Sequence, residues 1–186
     1  MTDDRRIVLA DAALAVLAAT GARGLTHRAV HRTAGIAEGS TSYYFRTRAA
    51  LLQACAERLA AHTMQVIGPA DGAELTVDGL IALAERAVSA WTADEGWLIR
   101  ARHELLLESA RYSELRGPIE MAAEHVRALI EQRLDAWRPP DPAERTGDLI
   151  ACLDGLALAH AVAGTVDRNK LARSVSRVIS GLLRQD

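Results

Sequence analysis

Ser40, Thr41 and Ser42 run directly into Tyr43, Tyr44 and Phe45, and Arg46 and Arg48 follow at once. Short hydroxyls can approach a phosphate or a base edge closely. A tyrosine offers an apolar ring with a hydroxyl at its tip, and a guanidinium adds charge and a planar set of donors. Together they suit the grip of a polyanion, DNA above all. The aromatics are the more informative because the chain has three Tyr and one Phe in total. Three of those four side chains are spent in one tripeptide.

Other chemistries find less support. Cys55 and Cys152 stand far apart with no C-x-x-C or Cys/His spacing around them, which fits a reducing compartment and not a zinc site. His103-Glu104 followed by Glu108 superficially resembles a helical metal site but lacks HExxH. Glu104 has Arg100 and Arg102 beside it, so an ion pair is its expected role. G-x-S-x-G, a phosphate loop and a dinucleotide fingerprint are all missing. The expectation is therefore no enzyme, no cofactor and no metal. No apolar stretch approaches the ~18 residues of a membrane span, and Asp11 interrupts the first one, so a cytoplasmic protein is expected. The net charge is -2, but residues 1–48 carry seven Arg against four acids, leaving an acidic remainder. A basic head on an acidic body is the pattern of a nucleic-acid reader.

The elements that must position these residues are legible from their punctuation. Ile7, Ala10, Leu14 and Leu17 share a helical face, and GARG ends that helix with glycines suited to a left-handed cap. Thr26 can cap a second helix to about Thr33, and Ala34-Gly35-Ile36 reads as a tight turn. A third, short helix covers about residues 38–44, and Thr47 caps a long fourth. Two short helices joined by a glycine-containing turn make a helix-turn-helix, whose second helix enters the major groove. Farther on, Thr76, Gly117-Pro118, Asp141-Pro142 and Asp167 mark further helix starts, with a kink at TADEG. The whole reads as all-α with about nine helices: residues 1–47 a DNA-binding head, residues 48–186 a helical regulatory body.

The run LTHRAVHRTAGIAEGSTSYYFRTRAALL resembles the DNA-binding domain of the tetracycline-repressor (TetR) family over about residues 5–55. The shared pattern is a Thr-initiated helix, an Ala-Gly-Val-like turn, a Gly-Thr-like step, an aromatic pair, Phe and a basic residue. The resemblance places Thr26, Ser40, Tyr44 and Arg48 at phosphate-contacting positions. It places Arg28, Glu38, Gly39, Ser42 and Tyr43 against base edges or groove walls, with Arg28 able to take guanine O6 and N7 together. Phe45 would pack inward. Ala37 replaces a common capping Ser, Ser42 the usual first tyrosine, and His31 a small residue.

The resemblance also implies a body that binds a small-molecule effector and dimerises. Trp91, Trp97, His103, Leu107, Met121, His125 and Cys152 combine apolar bulk with polar handles and are candidate effector contacts, with a core role the alternative for each. Residues 149–163, LIACLDGLALAHAVA, are apolar on nearly every face and need covering all round. Either they form the central helix of a monomeric bundle, or they pack with the last helix against a second copy as a four-helix bundle. The second reading puts Leu149, Leu153, Leu156, His160, Val175, Val178 and Leu182 in the interface. The expected function is a ligand-responsive repressor of a palindromic operator, acting as a homodimer away from membranes. An activator, a partner-responsive regulator and a helical small-molecule binding protein or enzyme are the alternatives.

Overall fold

The computed structural model describes residues 2–36, 43–67, 76–93, 96–134, 141–163 and 167–182. Among these residues the chain is all-α, with no strand. The helices are α1 (Thr2–Gly24), α2 (His27–Ala34), α3 (Arg48–Ile67), α4 (Val77–Thr92), α5 (Trp97–Arg111), α6 (Arg116–Leu134), α7 (Pro142–Ala163) and α8 (Arg168–Leu182). A 3-10 turn at Ser113–Leu115 leads into α6. Tyr43 and Tyr44 are helical, whereas Ala37, Glu38, Gly39, Ser40, Thr41 and Ser42 lie outside the described residues.

Side-chain caps start the helices where the sequence placed them. Thr26 Oγ1 accepts the Ala29 amide at 3.2 Å, Thr47 Oγ1 that of Ala50 at 3.1 Å, and Thr76 Oγ1 that of Gly79 at 3.1 Å. Asp167 Oδ1 accepts the Lys170 amide at 3.0 Å, and this bond holds its carboxyl below the ordinary value of 3.8. Gly35 closes α2 in the left-handed region at φ 65, and the Ile36 amide reaches back to the His31 carbonyl at 3.2 Å. One orphan amide at the start of α2 and two carbonyls at its end are thus satisfied.

The chain forms two compact units, Met1–His62 with Arg100–Ala123, and Thr63–Ile99 with Glu124–Asp186. In the first, α1 and α2 pack together. Leu9, Leu14, Leu17, Val30, Phe45, Leu51 and Leu52 are buried there. The Arg58 guanidinium grips the Asp11 carboxylate with two bonds of 2.6 and 3.0 Å, tying α3 to α1. Gly21 interrupts α1 at φ 68, ψ 179, a conformation that favours glycine.

In the second unit, α4, α7 and α8 pack mutually. Leu80, Val88, Leu149, Leu153, Leu171, Val175 and Ile179 are buried, and Arg145 donates to the Leu182 carbonyl at the end of α8. Gly96 sits at φ 70, and a Cβ added to it would lie 2.7 Å from that of Ala161. Only glycine admits this approach to α7.

One expectation needs correcting. Among the described residues, two helices are long and apolar enough to cross a membrane, Asp4–Gly24 with mean hydropathy 1.5 and Pro142–Ala163 with 1.3. The interruption by Asp11 does not bring the average down far enough, because alanine and leucine surround it. In α1 the apolar side is occupied in the core through Leu9, Ala13, Leu14 and Leu17.

Candidate nucleic-acid interface

The local physics of α2 sets two of the expected DNA contacts. Because Thr26 uses its oxygen as an acceptor for the cap, its hydroxyl proton remains available to a phosphate. Arg28 is exposed two residues on, in the first turn of α2. Tyr43 is 72% exposed, and its ring meets that of Tyr44 edge to face at a centroid distance of 5.1 Å. Tyr44 is half-buried. The stacking leaves Tyr43 outermost while restricting both rings.

Phe45 holds this pair from below. It is 2% exposed, its carbonyl accepts a 2.7 Å bond from His27 Nε2, and the Arg6 guanidinium carbon lies 5.6 Å from its ring centre. One residue therefore joins the end of the reading segment to α1 by its ring and to α2 by its main chain. His31 is buried, although the position resembles one that usually holds a small side chain.

Arg48 makes more contacts within the protein than its sequence position suggested. Its Nη2 donates to the Ala22 carbonyl at 2.8 Å and to Glu108 Oε2 at 3.1 Å, and its Nη1 to the Leu25 carbonyl at 3.4 Å. Glu108 has a side chain only 5% exposed and also pairs with Arg111 at 3.1 Å. One turn earlier on α5, Glu104 Oε2 accepts the Ala22 amide at 2.9 Å; another turn earlier, Arg100 Nε donates to the Ala18 carbonyl at 3.2 Å. Residues at i, i+4 and i+8 share one helix face. Arg100, Glu104 and Glu108 thus meet the end of α1 and the start of α3 on three successive turns. The Glu104 carboxylate lies 3.3 Å from where a Gly21 Cβ would stand, so the glycine also makes room for this contact. Sequence reasoning missed these ties, since 82 residues separate Glu104 from Ala22. The available signal was an acid, buried in pattern, at four-residue spacing from another.

The seven candidate effector residues are divided between the two units. His103, Leu107 and Met121 belong to the first unit, and Trp91, Trp97, His125 and Cys152 to the second. Leu107, Met121 and Cys152 are exposed, Trp91 is buried, and Trp97 and His103 are half-buried. His125 lies in α6, and its side chain is outside the described residues. A shallow apolar cleft in the second unit is lined by Leu80, Leu134, Arg145, Leu149, Ile179 and Leu182, none of which belongs to that set.

Of the residues expected at a dimer interface, Leu149, Leu153 and Val175 are 2%, 5% and 0% exposed in the single chain. They are consumed by its own core and have almost no surface left to give a second copy. Leu156, His160, Val178 and Leu182 are half-buried. The outer face of α7 instead presents Gly147, Ala151, Cys152, Gly155, Ala159 and Val162. A Cβ added at Gly147 or Gly155 meets nothing within 4 Å.

A Thr-capped α2 closed by the left-handed Gly35, with helical Tyr43 and Tyr44 next to the buried Phe45, fits the head of a helix-turn-helix transcriptional regulator. Sequence-family comparison sharpens the class. Residues 9–55 match the model for bacterial regulatory proteins of the tetR family, and residues 71–185 match that of the tetracyclin repressor-like C-terminal domain. The chain belongs to the TetR family. It is 26% identical to the HTH-type transcriptional regulator BetI of Escherichia coli O45:K1 (strain S88 / ExPEC), over 95% of this chain and 92% of that protein. Its fold matches a transcriptional regulator from Rhodococcus sp. Rha1 with a TM-score of 0.81 at 19% identity, covering 96% and 95% of the two chains. The multidrug binding protein EbrR complexed with ethidium matches with a TM-score of 0.69 at 28% identity, over 94% and 98%.

Proposed function

We propose that the chain is a ligand-responsive transcriptional repressor. It binds a palindromic operator as a homodimer in the cytoplasm, is released by a small-molecule effector, and catalyses no reaction. The observation that carries the reading is the construction of the head: a capped α2, a left-handed glycine turn, and Tyr43 standing outward on a buried Phe45. In this reading Thr26, Ser40, Tyr44 and Arg48 hold phosphates, and Arg28, Glu38, Gly39, Ser42 and Tyr43 meet base edges or the groove wall. Phosphate contacts set register, and base contacts set sequence preference.

Residues 1–47 act as the reading head and residues 48–186 as the regulatory body. EbrR, described as a multidrug binding protein and solved with ethidium, supports a body that accepts small molecules. Release from the operator follows if the effector favours a head separation that misses half-sites about 34–36 Å apart. A differential affinity of about 1–3 kcal/mol is the usual size of such a coupling.

For the dimer, the outer face of α7 is the better candidate surface. Ala151, Gly155 and Ala159 are small enough to let a second helix approach closely, and Val162 is 79% exposed in the single chain.

A gel-shift assay with DNA from upstream of the protein's own coding region tests the reading. A discrete complex at low salt, competed by the same DNA and not by random duplex, is the expected result. Its absence with dimeric protein rejects the regulator reading. Arg28→Ala is expected to bind operator and random duplex with more similar affinities, losing about 1–3 kcal/mol of discrimination at its base pair.

A further inference from the structure

We infer that Glu108, on α5, is a positioning residue for DNA binding: it holds Arg48 so that the remaining guanidinium N–H donors are offered to backbone phosphate. The inference rests on the DNA-binding reading above. A guanidinium has five N–H donors. In Arg48 both Nη2 donors are engaged, by the Ala22 carbonyl and Glu108, and one Nη1 donor is given to the Leu25 carbonyl. Nε–H and the second Nη1–H have no partner among the described residues, and the side chain is 46% exposed. The three engaged donors fix the group, and the remaining two are left for an anion.

A competing arrangement, in which Arg48 leaves Glu108 to reach DNA, is disfavoured by burial. Glu108 would be left with Arg111 alone, and removing a partner from a buried carboxylate is strongly unfavourable. Arg111, on the other side of Glu108, keeps the three-residue group net positive, so the carboxylate does not cancel the charge offered to a phosphate. Fixing the long Arg48 side chain in advance also removes the entropy that a free arginine would lose on binding.

The test uses the full-length protein and a fluorescein-labelled duplex of mixed sequence, titrated by anisotropy at a series of NaCl concentrations. Phosphate contacts are read without knowing the operator. Arg48→Ala and Glu108→Ala are each expected to weaken binding about tenfold and to flatten the log–log salt slope by about 1. The double variant should lose no more than either alone, since both remove the same contact. Glu108→Gln keeps volume and one acceptor, and should lie between wild type and Glu108→Ala; it decides the matter if the alanine variant does not fold by circular dichroism.

Glu108 variants with the wild-type slope, tighter binding, or losses that multiply with those of Arg48→Ala overturn the inference. A fall in melting temperature without a change in slope marks a merely structural role and overturns it too. Failure of the wild type to bind any duplex at low salt rejects the DNA reading itself.

Discussion

The two compact units combine directional contacts and apolar packing in different measure. In the first, residues far apart in sequence are joined by directional contacts: Arg58 to Asp11, His27 to the Phe45 carbonyl, Glu104 to the Ala22 amide, and Glu108 to Arg48. In the second, α4, α7 and α8 meet largely through leucine, valine and isoleucine, with Arg145 bonding the Leu182 carbonyl at the end of α8. Directional contacts specify position and are intolerant of small shifts, whereas apolar burial is proportional to area and indifferent to register. A surface that must match a fixed spacing of phosphates needs the first kind of restraint. A body that must accommodate a ligand or a second copy can use the second.

The largest test of this contrast is in the second unit. Leu149→Ala should destabilise by about 2–5 kcal/mol, as for other fully buried leucines, whereas Ala159→Glu on the outer face should leave folding nearly unchanged and yield monomers. Thermal unfolding and light scattering give both numbers. If Ala159→Glu unfolds the chain, or remains dimeric, the outer face is not the interface. In the first unit, Glu104→Ala leaves the buried Ala22 amide without its partner and should cost about 1–3 kcal/mol. A loss below the error of denaturant titration would show that this tie carries no weight in the contrast.

Smaller in energy but equally diagnostic are the two cysteines. Burial pushes the Cys55 thiol up to about 12, and the thiolate is the reactive form, so Cys55 should resist maleimide at neutral pH in folded protein. Cys152 is exposed on α7 and should react, more slowly as protein concentration drives dimerisation. Mass spectrometry after brief labelling reads both sites. The smallest effect is at Asp167. Its folded carboxyl is held below 3.8 by the Lys170 amide, so its contribution to stability is present above the unfolded value. That contribution is lost as pH falls through the folded value. Asp167→Ala should therefore flatten the acid limb of a stability profile; an unchanged limb would mean that the cap is not coupled to folding.

Helix starts were legible because they are local. Thr26, Thr47, Thr76 and Asp167 each bond an amide three residues on, and such a bond depends on a few neighbouring residue types. Gly35 was legible for the same reason, since its φ of 65 suits few other residues. The ties from α5 were not, because no periodicity links Glu104 to Ala22 or Glu108 to Arg48. The inward side of α7 was only half legible. Its apolar character on every face predicted two coverings but could not say which side faced α4 and α8. Size could have decided it: Leu149 and Leu153 fill the interior, while Gly147, Ala151, Gly155 and Ala159 are left outside. The four recognition-segment residues Glu38, Gly39, Ser40 and Ser42 lie outside the described residues, so their roles stand on the family pattern.

Phe45 has a use beyond its packing. It is the single phenylalanine of the chain, and it touches α1 through Arg6 and α2 through His27. Biosynthetic replacement by a fluorinated analogue therefore gives a protein with one fluorine resonance, placed at the root of the reading segment. Without any mutation, that line would show whether effector, operator or salt alters the packing beneath Tyr43 and Tyr44, and how many states exchange there.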